Sequence, residues 1–218
     1  GGSRVSAQLL AQAQHVGLPV FQGYGLSECA SVVTLNTPSH HNINSTGKPL
    51  PHLTVTIENG EAVVQGNTFL GYAGQPDTWY KNQVHTGDLA RWDQGNLVIE
   101  GRKKNLIINS FGRNIAPEWP ESLLMATGKF KQAFVFGDAK PALIALLTPV
   151  DPTLSETDRH QTLARVNAQL PDYAQIKHTL HLGQGLSPES GLVTDNFRPK
   201  RRAIESYFQD QINALYAN

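Results

Sequence analysis

The chain has 218 residues, which is enough for one sizeable domain or two small ones. Its 18 basic and 18 acidic side chains balance, so no overall field would recruit nucleic acid or anionic lipid. The single cysteine, Cys29, excludes an internal disulfide framework and suits a reducing compartment, and no apolar run approaches the roughly 20 residues of a membrane span. Composition therefore predicts a cytoplasmic protein without a transmembrane segment.

The first half of the chain is predicted to be β-rich, with one helix and one strand at its start. Apolar residues at helical spacing predict the helix over residues 5–16, and Gly17 supplies its stop. The apolar pair Val20-Phe21 predicts a short buried strand. Two hairpins follow, in which residues 53–57 pair with 62–64 about Asn59-Gly60, and residues 89–92 pair with 96–99 about residues 93–95.

After Arg102 the pattern becomes that of a compact α+β unit. Helical periodicity and capping residues alternate here with short apolar runs. The predicted strands are residues 106–108, 132–136, 142–147 and 178–182, of which the second and third form a paired sheet. The predicted helices are residues 117–125, a helix capped by Ser155 that runs to about residue 170, and a last helix with Ile204, Phe208, Ile212 and Leu215 on one face.

Residues 23–28 (GYGLSE) combine glycines, an aromatic ring, a hydroxyl and a carboxylate. Glycine lets a backbone approach a flat ring or a phosphate closely because no Cβ intervenes. The tyrosine offers a stacking face, and the serine and glutamate can bond phosphate oxygens and Mg²⁺, which prefers oxygen ligands. Taken alone, this motif favours a structural turn over a nucleotide site.

Further polar blocks follow in a fixed order. Thr86-Gly87-Asp88 puts an acid at a predicted turn, residues 101–105 (GRKKN) form a basic crossover, and residues 112–117 (GRNIAP) begin with a glycine loop. Near the C terminus, residues 191–202 (GLVTDNFRPKRR) cluster cations. A nucleic-acid patch is one interpretation of that cluster, but it lacks interleaved aromatic residues and the chain has no net positive charge.

Together, these blocks closely resemble the adenylate-forming family of acyl-CoA synthetases in order and spacing, and the resemblance spans the whole chain. The phosphate loop and most of the large domain that open that family have no counterpart here, so the chain is identified as the C-terminal portion of such an enzyme. The resemblance implies an α+β fold. Residues 1–101 would form the β-rich end of the large adenylation domain, residues 102–104 the hinge, and residues 105–218 a small α+β C-terminal lid domain.

The resemblance implies that the first motif binds ATP or AMP. Gly23 and Gly25 would line the nucleotide, Tyr24 would lie against adenine, and Ser27 would contact the α-phosphate. Glu28 would hold Mg²⁺, which makes it both a catalytic and a metal-binding candidate. The family usually has threonine at the position of Ser27, and serine keeps the hydroxyl.

The middle blocks carry the ribose site and the moving parts in that family. Asp88 would accept hydrogen bonds from both ribose hydroxyls, since an ionised carboxylate offers two acceptor oxygens, and Arg102 would support the same sugar. Lys104 matches the hinge about which the small domain rotates between the two half-reactions. Gly112 would leave room for the pantetheine arm of coenzyme A, whereas an ordinary β-turn is the structural alternative for its loop.

The terminal motif carries the catalytic lysine in that family, a cation that bridges the carboxylate substrate and the α-phosphate. Counted from Thr194 and from Arg201-Arg202, the lysine position falls on Arg198, and Lys200 lies two residues beyond. Arginine keeps the charge but differs in bulk and geometry. We favour Arg198, with Lys200 as the alternative cation and slow adenylation as the third possibility.

The resemblance implies an ATP-dependent ligase that activates a carboxylic acid, most like the long-chain fatty acyl branch, and transfers it to the thiol of coenzyme A or of an acyl carrier protein. The N-terminal portion of such an enzyme would be a further partner. A catalytically inactive fragment, or an interaction module with only weak AMP binding, is the alternative.

Overall fold

The computed structural model describes residues 5–217, which form two compact units. The N-terminal unit is Val5–Lys104, and the C-terminal unit begins at Asn105. Helices combine with small open sheets in both, which confirms the α+β fold class. Within residues 5–217, no helix has the length and apolar character that crossing a bilayer requires.

The N-terminal unit begins with helix α1, Ala7–His15. Ser6 caps it, because its hydroxyl accepts a hydrogen bond from the Leu9 amide at 3.2 Å. Leu10 is buried, and Gly17 follows the helix with a φ of 76°. The predicted helix and its stop are therefore confirmed.

A small antiparallel sheet comes next. Its strands are β1 (Gly23–Tyr24), β2 (Thr34–Leu35) and β3 (Lys48–Pro49), in that order. The predicted strand at Val20-Phe21 is wrong, since pairing begins at Gly23, opposite Leu35. A two-residue strand exists only where its partner passes, and that partner is distant in sequence.

The main sheet of the N-terminal unit has four antiparallel strands in sequence order. They are β4 (Thr54–Glu58), β5 (Glu61–Gln65), β6 (Gln83–Asp93) and β7 (Asn96–Arg102). Both predicted hairpins are confirmed. Asn59-Gly60 and Gln94-Gly95 join them, each with positive φ at both residues, which matches the right-handed twist of the strands.

The C-terminal unit opens with a hairpin of two short strands, β8 (Ile107–Ile108) and β9 (Asn114–Ile115). Helix α2, Glu118–Ala126, follows directly. Its first turn carries Glu118 and Glu121, a favourable place for acidic side chains because backbone N–H groups point toward them.

The core of this unit is built on a three-stranded sheet. Strands β10 (Phe130–Phe136) and β11 (Leu143–Pro149) pair antiparallel, and β12 (Ile176–His181) pairs with β11 in parallel. Helix α3, Glu156–Asn167, lies in the crossover and is capped by Ser155, as predicted. All residues of β11 up to Thr148 are buried, which is typical of a central strand covered on both faces.

Helices cover both faces of this sheet. Apolar residues of α2 and α3 pack on one face, and α4 (Arg201–Tyr207) and α5 (Gln209–Ala217) cover the other. The predicted final helix is therefore two helices, which are interrupted at Phe208. The predicted apolar face nevertheless holds, because all four of its residues pack in one cluster.

Candidate functional site

The loop that carries the first motif is held by very close backbone packing. A Cβ on Gly25 would lie 1.4 Å from the Ser31 carbonyl oxygen, and one on Gly23 would lie 2.9 Å from that of Thr34. Both glycines are therefore required by contacts within the protein itself. Ser27 opens a short 3₁₀ turn, Ser27–Cys29, and is exposed.

Tyr24, Asp88 and Arg102 lie together in the N-terminal unit. The Tyr24 hydroxyl donates to Asp88 Oδ2 at 2.6 Å, and Arg102 Nε lies 2.8 Å from Asp88 Oδ1. Asp88 is only 4% exposed. Burial, followed by the Asp88 carboxylate, raises the pKa of Tyr24 well above its ordinary value, so the phenol stays protonated as the donor.

Asp88 lies in a strand and not at the predicted turn, which corrects the sequence-based prediction. It belongs to β6, where residues 86–88 bulge out of the ladder. The Thr86 hydroxyl holds the bulge, since it donates to the Ala62 carbonyl at 2.8 Å and accepts from the Asp88 amide at 3.1 Å. On the far side Asp88 pairs with Arg102 of β7.

Arg102 is fixed by two contacts from the neighbouring strand β6. Besides Asp88, its Nη1 donates to the Thr86 carbonyl at 2.8 Å. A hydrogen bond from Tyr72 is the main cause that lowers the pKa of Glu28, and the positive charge of Arg102 makes a smaller contribution in the same direction.

Glu28 has a polar partner that the sequence did not reveal. The Tyr72 hydroxyl donates to Glu28 Oε1 at 2.6 Å, and this bond raises the pKa of Tyr72. Within residues 5–217, no three His, Cys, Asp or Glu side chains are grouped to hold a metal. One carboxylate fits Mg²⁺ only where phosphate oxygens complete the coordination, which is how proteins usually bind this ion.

The Gly112 loop is the tight turn between β8 and β9. The Gly112 amide donates to the Asn109 carbonyl at 2.9 Å, and Gly112 has a φ of 70° with open space where a side chain would point. The Asn109 side chain accepts from the amides of Phe111 and Arg113. The loop is thus a β-turn in conformation, and its tip residue Phe111 is 69% exposed.

The terminal motif is a second exposed turn of the C-terminal unit. Val193 pairs with Pro199, and the Thr194 amide donates to the Arg198 carbonyl at 2.9 Å. Arg198 and Lys200 are both exposed. Exposure therefore does not distinguish Arg198 from Lys200.

A family profile described as the AMP-binding enzyme C-terminal domain matches residues 104–218, more than half of the chain. The chain belongs to the AMP-binding enzyme family. Long-chain-fatty-acid–CoA ligase FadD15 of Mycobacterium bovis is 30% identical to it over 251 residues, which cover 99% of this chain and 41% of that relative. The chain thus spans about two fifths of the curated relative that it matches.

Solved structures of AMP-binding enzymes share the fold. O-succinylbenzoate coenzyme A synthetase (MenE) of Bacillus subtilis, solved in complex with ATP and magnesium ion, is 26% identical with a TM-score of 0.77, covering 93% of this chain and 44% of that one. The adenylation domain of a Mycobacterium chelonae carboxylate reductase has a TM-score of 0.81 at 19% identity, and the match covers 100% of this chain and 38% of that one. At this identity the match supports the fold alone.

The structure of this AMP-binding enzyme chain brings only some of the predicted site residues together. Tyr24, Asp88 and Arg102 are in contact, and the charge of Arg102 reaches Glu28. Lys104 lies in the 3₁₀ turn Lys103–Asn105, at the end of the N-terminal unit. Gly23, Gly25 and Ser27 lie in the same loop as Tyr24 and Glu28, whereas Gly112, Arg198 and Lys200 belong to the C-terminal unit.

Arg201 is a structural anchor of this AMP-binding enzyme chain, a role that the sequence motif did not indicate. Its Nη2 lies 2.7 Å from Glu121 Oε2 and 3.8 Å from Glu118 Oε1, and its Nη1 donates to the Val135 carbonyl. Burial lowers the pKa of Arg201, but the two carboxylates outweigh it and raise that pKa. Arg201 therefore anchors the terminal turn to α2 and β10.

The contacts of Arg201 leave a weak trace in the sequence. Glu118 and Glu121 stand one helical turn apart, a spacing that puts both carboxylates on one face of α2. When such a pair of carboxylates is buried, a cation from elsewhere in the chain is expected beside it. The choice between Arg201 and Arg202 depends on the packing of α4, which the sequence alone does not give.

Proposed function

We propose that this chain is the C-terminal part of an AMP-forming acid–thiol ligase, which activates a fatty acid as its acyl-adenylate and transfers the acyl group to a thiol. The observation that carries this proposal is the contact of Tyr24, Asp88 and Arg102. A buried carboxylate held between a phenol and a guanidinium is a preorganised acceptor for a polar ligand.

Asp88 is the proposed acceptor for the two ribose hydroxyls, because an ionised carboxylate can accept several hydrogen bonds. Tyr24 donates to its Oδ2 and Arg102 Nε lies 2.8 Å from its Oδ1, so the carboxylate is held in one orientation. The ring of Tyr24 provides a face for adenine while its hydroxyl stays on Asp88. Arg102 neutralises the carboxylate and fixes its plane.

Ser27 and Glu28 serve the phosphates of ATP in this proposal. The Ser27 hydroxyl is exposed at the start of a 3₁₀ turn and binds an α-phosphate oxygen. Glu28 binds Mg²⁺ through its carboxylate together with phosphate oxygens of the nucleotide. When bound, that ion offsets the charge that develops as pyrophosphate leaves. Gly23 and Gly25 shape the backbone of this loop.

The C-terminal unit supplies the mobile part of the proposed enzyme. We assign residues 1–101 to the end of the large domain, residues 102–104 to the hinge with Lys104 at its pivot, and residues 105–218 to the lid. Gly112 carries no side chain at its turn, which keeps a path open for the pantetheine arm of coenzyme A. The thiol of an acyl carrier protein is the alternative acceptor.

Arg198 is the proposed catalytic cation, which stabilises the carboxylate and α-phosphate as they meet. Lys200 is its alternative. Substitution separates them: Arg198→Ala is expected to weaken binding of a fatty acyl-AMP analogue strongly, and Lys200→Ala only slightly. The reverse order would assign the role to Lys200.

The fatty acid substrate is inferred from the long-chain relatives. This chain covers 41% of the Mycobacterium bovis ligase, so the activity of that whole protein is not carried over to the chain alone. Several apolar side chains of the N-terminal unit are exposed and would suit contact with the N-terminal portion of such an enzyme, among them Val16, Leu18, Leu35 and Leu70.

The second candidate is therefore a chain that binds AMP weakly and has no ligase activity of its own. Pyrophosphate exchange measured on this chain is expected to be negligible. Turnover at the rate of a whole ligase would instead show that the chain is a complete catalyst. Both candidate functions require AMP binding. A direct test of the AMP site therefore tests the part of the proposal that they share.

Calorimetric titration with AMP and Mg²⁺ tests the nucleotide site directly. The wild-type chain is expected to bind AMP, and Asp88→Ala to lose that binding. Asp93→Ala is the matched control, because Asp93 ends the same strand at the hairpin turn. Equal affinity in Asp88→Ala and wild type would overturn the proposal. If the basic cluster in residues 191–202 were instead a nucleic-acid site, the chain would bind DNA or RNA with an affinity that falls steeply as the salt concentration rises.

A further inference from the structure

Glu61 is a buried carboxylate outside the set of residues assigned to the proposed nucleotide site. It is the first residue of β5 and only 7% exposed. Its Oε1 accepts the Gly87 amide at 2.8 Å, and its Oε2 lies 3.1 Å from Lys103 Nζ. One carboxylate therefore touches both the bulge that carries Asp88 and the crossover that leads to Lys104.

The bulge explains why a side-chain acceptor is needed at this position. In the ladder of β5 and β6, Glu61 lies opposite Leu89 and Val63 lies opposite His85. Three residues of β6 thus stand against a single residue of β5, so the strand carbonyls cannot satisfy every amide. The Glu61 side chain supplies the acceptor that the ladder lacks, and it does so at Gly87, directly before Asp88.

Gly87 has no side-chain means of fixing its own conformation. Its φ is 71°, in the left-handed region, and a Cβ at this position would approach Arg102 Nη1 to 3.6 Å. A glycine is free to adopt many other backbone angles. The bond to Glu61 selects the left-handed conformation of Gly87. This conformation sets the plane of the peptide that joins Gly87 to Asp88.

The second contact of Glu61 joins the bulge to the crossover. The Lys103 side chain is 58% exposed, so this ion pair is weaker than the buried bond to Gly87. Burial alone would raise the pKa of Glu61, but the Gly87 amide and Lys103 outweigh it and lower that pKa. The carboxylate is therefore charged, and it strengthens both bonds.

We propose that Glu61 is a positioning residue that holds Gly87 so that Asp88 faces the ribose hydroxyls of the nucleotide. Its bond to Lys103 ties the start of the crossover to the same bulge. This inference rests on the proposed function, since it assigns Glu61 a role toward the ligand of Asp88. Glu61 itself touches neither the nucleotide nor the reacting atoms.

The test compares the Kd for AMP with the Kd for 2′,3′-dideoxy-AMP, measured by calorimetry on the 218-residue chain. The ratio isolates the ribose hydroxyls, because both ligands carry the same base and phosphate. The wild-type chain is expected to prefer AMP by about tenfold or more, since each hydroxyl bonds a charged acceptor. A change that only lowered stability would weaken both ligands and leave the ratio unchanged.

The variants separate the two contacts of Glu61. Glu61→Ala is expected to bring the preference below about threefold. Glu61→Gln keeps an oxygen for the Gly87 amide but loses the ion pair with Lys103, so Glu61→Gln and Lys103→Met are both expected to lower the ratio only slightly. Glu58→Ala is the control, because its carboxylate is exposed on the adjacent strand. Glu61→Asp, which cannot span both partners, serves if Glu61→Ala does not fold, and its ratio should also fall.

The outcomes distinguish this inference from the function on which it rests. A wild-type ratio near one overturns the proposed ribose site and the role of Glu61 with it. A clear wild-type preference that persists in Glu61→Ala, or in Glu61→Asp, overturns the role of Glu61 alone. Loss of the preference in those variants and its retention in Glu61→Gln and Glu58→Ala support the inference.

Discussion

The hydroxyl of Tyr24 and the carboxylate of Asp88, 64 residues apart in sequence, are joined by a hydrogen bond of 2.6 Å. The bond connects the small sheet of the N-terminal unit to the bulge of its main sheet. Because Asp88 is buried, the phenol also satisfies an anion that water does not reach well. The two residues are therefore partners in stability as well as in the proposed nucleotide site.

Tyr24→Phe is expected to destabilise the N-terminal unit by about 1.5–3 kcal/mol, because it removes a donor from a buried charged acceptor. Tyr72→Phe is the matched control. It deletes a bond to Glu28 of the same length, 2.6 Å, but Tyr72 is 46% exposed, so the loss is expected to stay below about 1 kcal/mol.

Urea unfolding followed by tryptophan fluorescence measures both tyrosine variants. In a Trp119→Phe background the remaining tryptophans, Trp79 and Trp92, both lie in the N-terminal unit. Equal losses in Tyr24→Phe and Tyr72→Phe would contradict the importance given to the burial of Asp88.

Arg201→Met, measured above pH 7 where Glu121 is ionised, is expected to destabilise the C-terminal unit by about 3–5 kcal/mol, because it leaves the buried Glu121 carboxylate without its cation. Arg202→Met, the neighbouring and exposed arginine, is expected to change stability by no more than about 0.5 kcal/mol. Unfolding is followed through Trp119 after the other tryptophans are replaced. Similar effects of the two substitutions would show that Arg201 is not the anchor.

The stability of the C-terminal unit is expected to depend on pH through Glu121. Burial raises the pKa of Glu121 from 4.5 to about 7, against the opposing effects of Arg201 and the Val135 amide. The folded state then holds a proton that the unfolded chain has released. The stabilisation that Glu121 gives the folded state is thus fully present below about pH 4.5, and it is lost as the pH rises to about 7.

Glu121→Gln isolates this titration, because the amide cannot ionise and still accepts a hydrogen bond. The free energy of unfolding is measured in urea across this pH range for both proteins. The wild-type value minus the variant value should decline as the pH rises. A difference that is flat, or that rises with pH, would rule out a raised pKa for Glu121.

How much of this could be read from the sequence depends on how local the cause is. The hairpin at Asn59-Gly60 was predictable because two adjacent residues determine the turn. The strand at Val20-Phe21 was not, since strand pairing here depends on Thr34-Leu35. Likewise, the apolar face about Phe208 indicated a helix correctly, but apolar spacing does not reveal a break in the backbone.

The candidate site shows the same division. The resemblance supplied Tyr24, Asp88 and Arg102 as separate residues, while their contact is a product of the fold. The bulge was out of reach, because it depends on the register of β5 against β6 and on a side-chain acceptor. Buried polar residues such as Glu61 break no periodicity that a sequence pattern could detect.

Cys29 is expected to resist thiol reagents while the N-terminal unit is folded. It is 1% exposed, and burial, with a smaller effect of Glu28, raises its pKa to about 11, so little reactive thiolate forms. Labelling should become complete in urea. Ser39→Cys in a Cys29→Ala background puts the thiol in an exposed loop and should react at once. Rapid labelling of native Cys29 would contradict its burial.

Phe197 is expected to strain the turn that carries Arg198. It has a φ of 56°, a left-handed conformation that a bulky side chain rarely adopts, and it is 59% exposed. Its amide donates to the Thr194 carbonyl at 2.7 Å, which holds the turn closed. The strain is of the order of 1–3 kcal/mol, and a glycine would relieve it at an entropic cost of roughly 0.5–1 kcal/mol.

Phe197→Gly is therefore expected to stabilise the C-terminal unit by about 0.5–1 kcal/mol, because the relief of strain exceeds the entropy that glycine adds to the unfolded chain. Phe111→Gly is the matched control. Phe111 is also an exposed phenylalanine at a turn, but its φ is not positive, so the substitution has no strain to relieve and should destabilise slightly. Urea unfolding through Trp119 measures both variants. A loss of stability in Phe197→Gly as large as that in Phe111→Gly would show that the terminal turn tolerates its aromatic residue without strain.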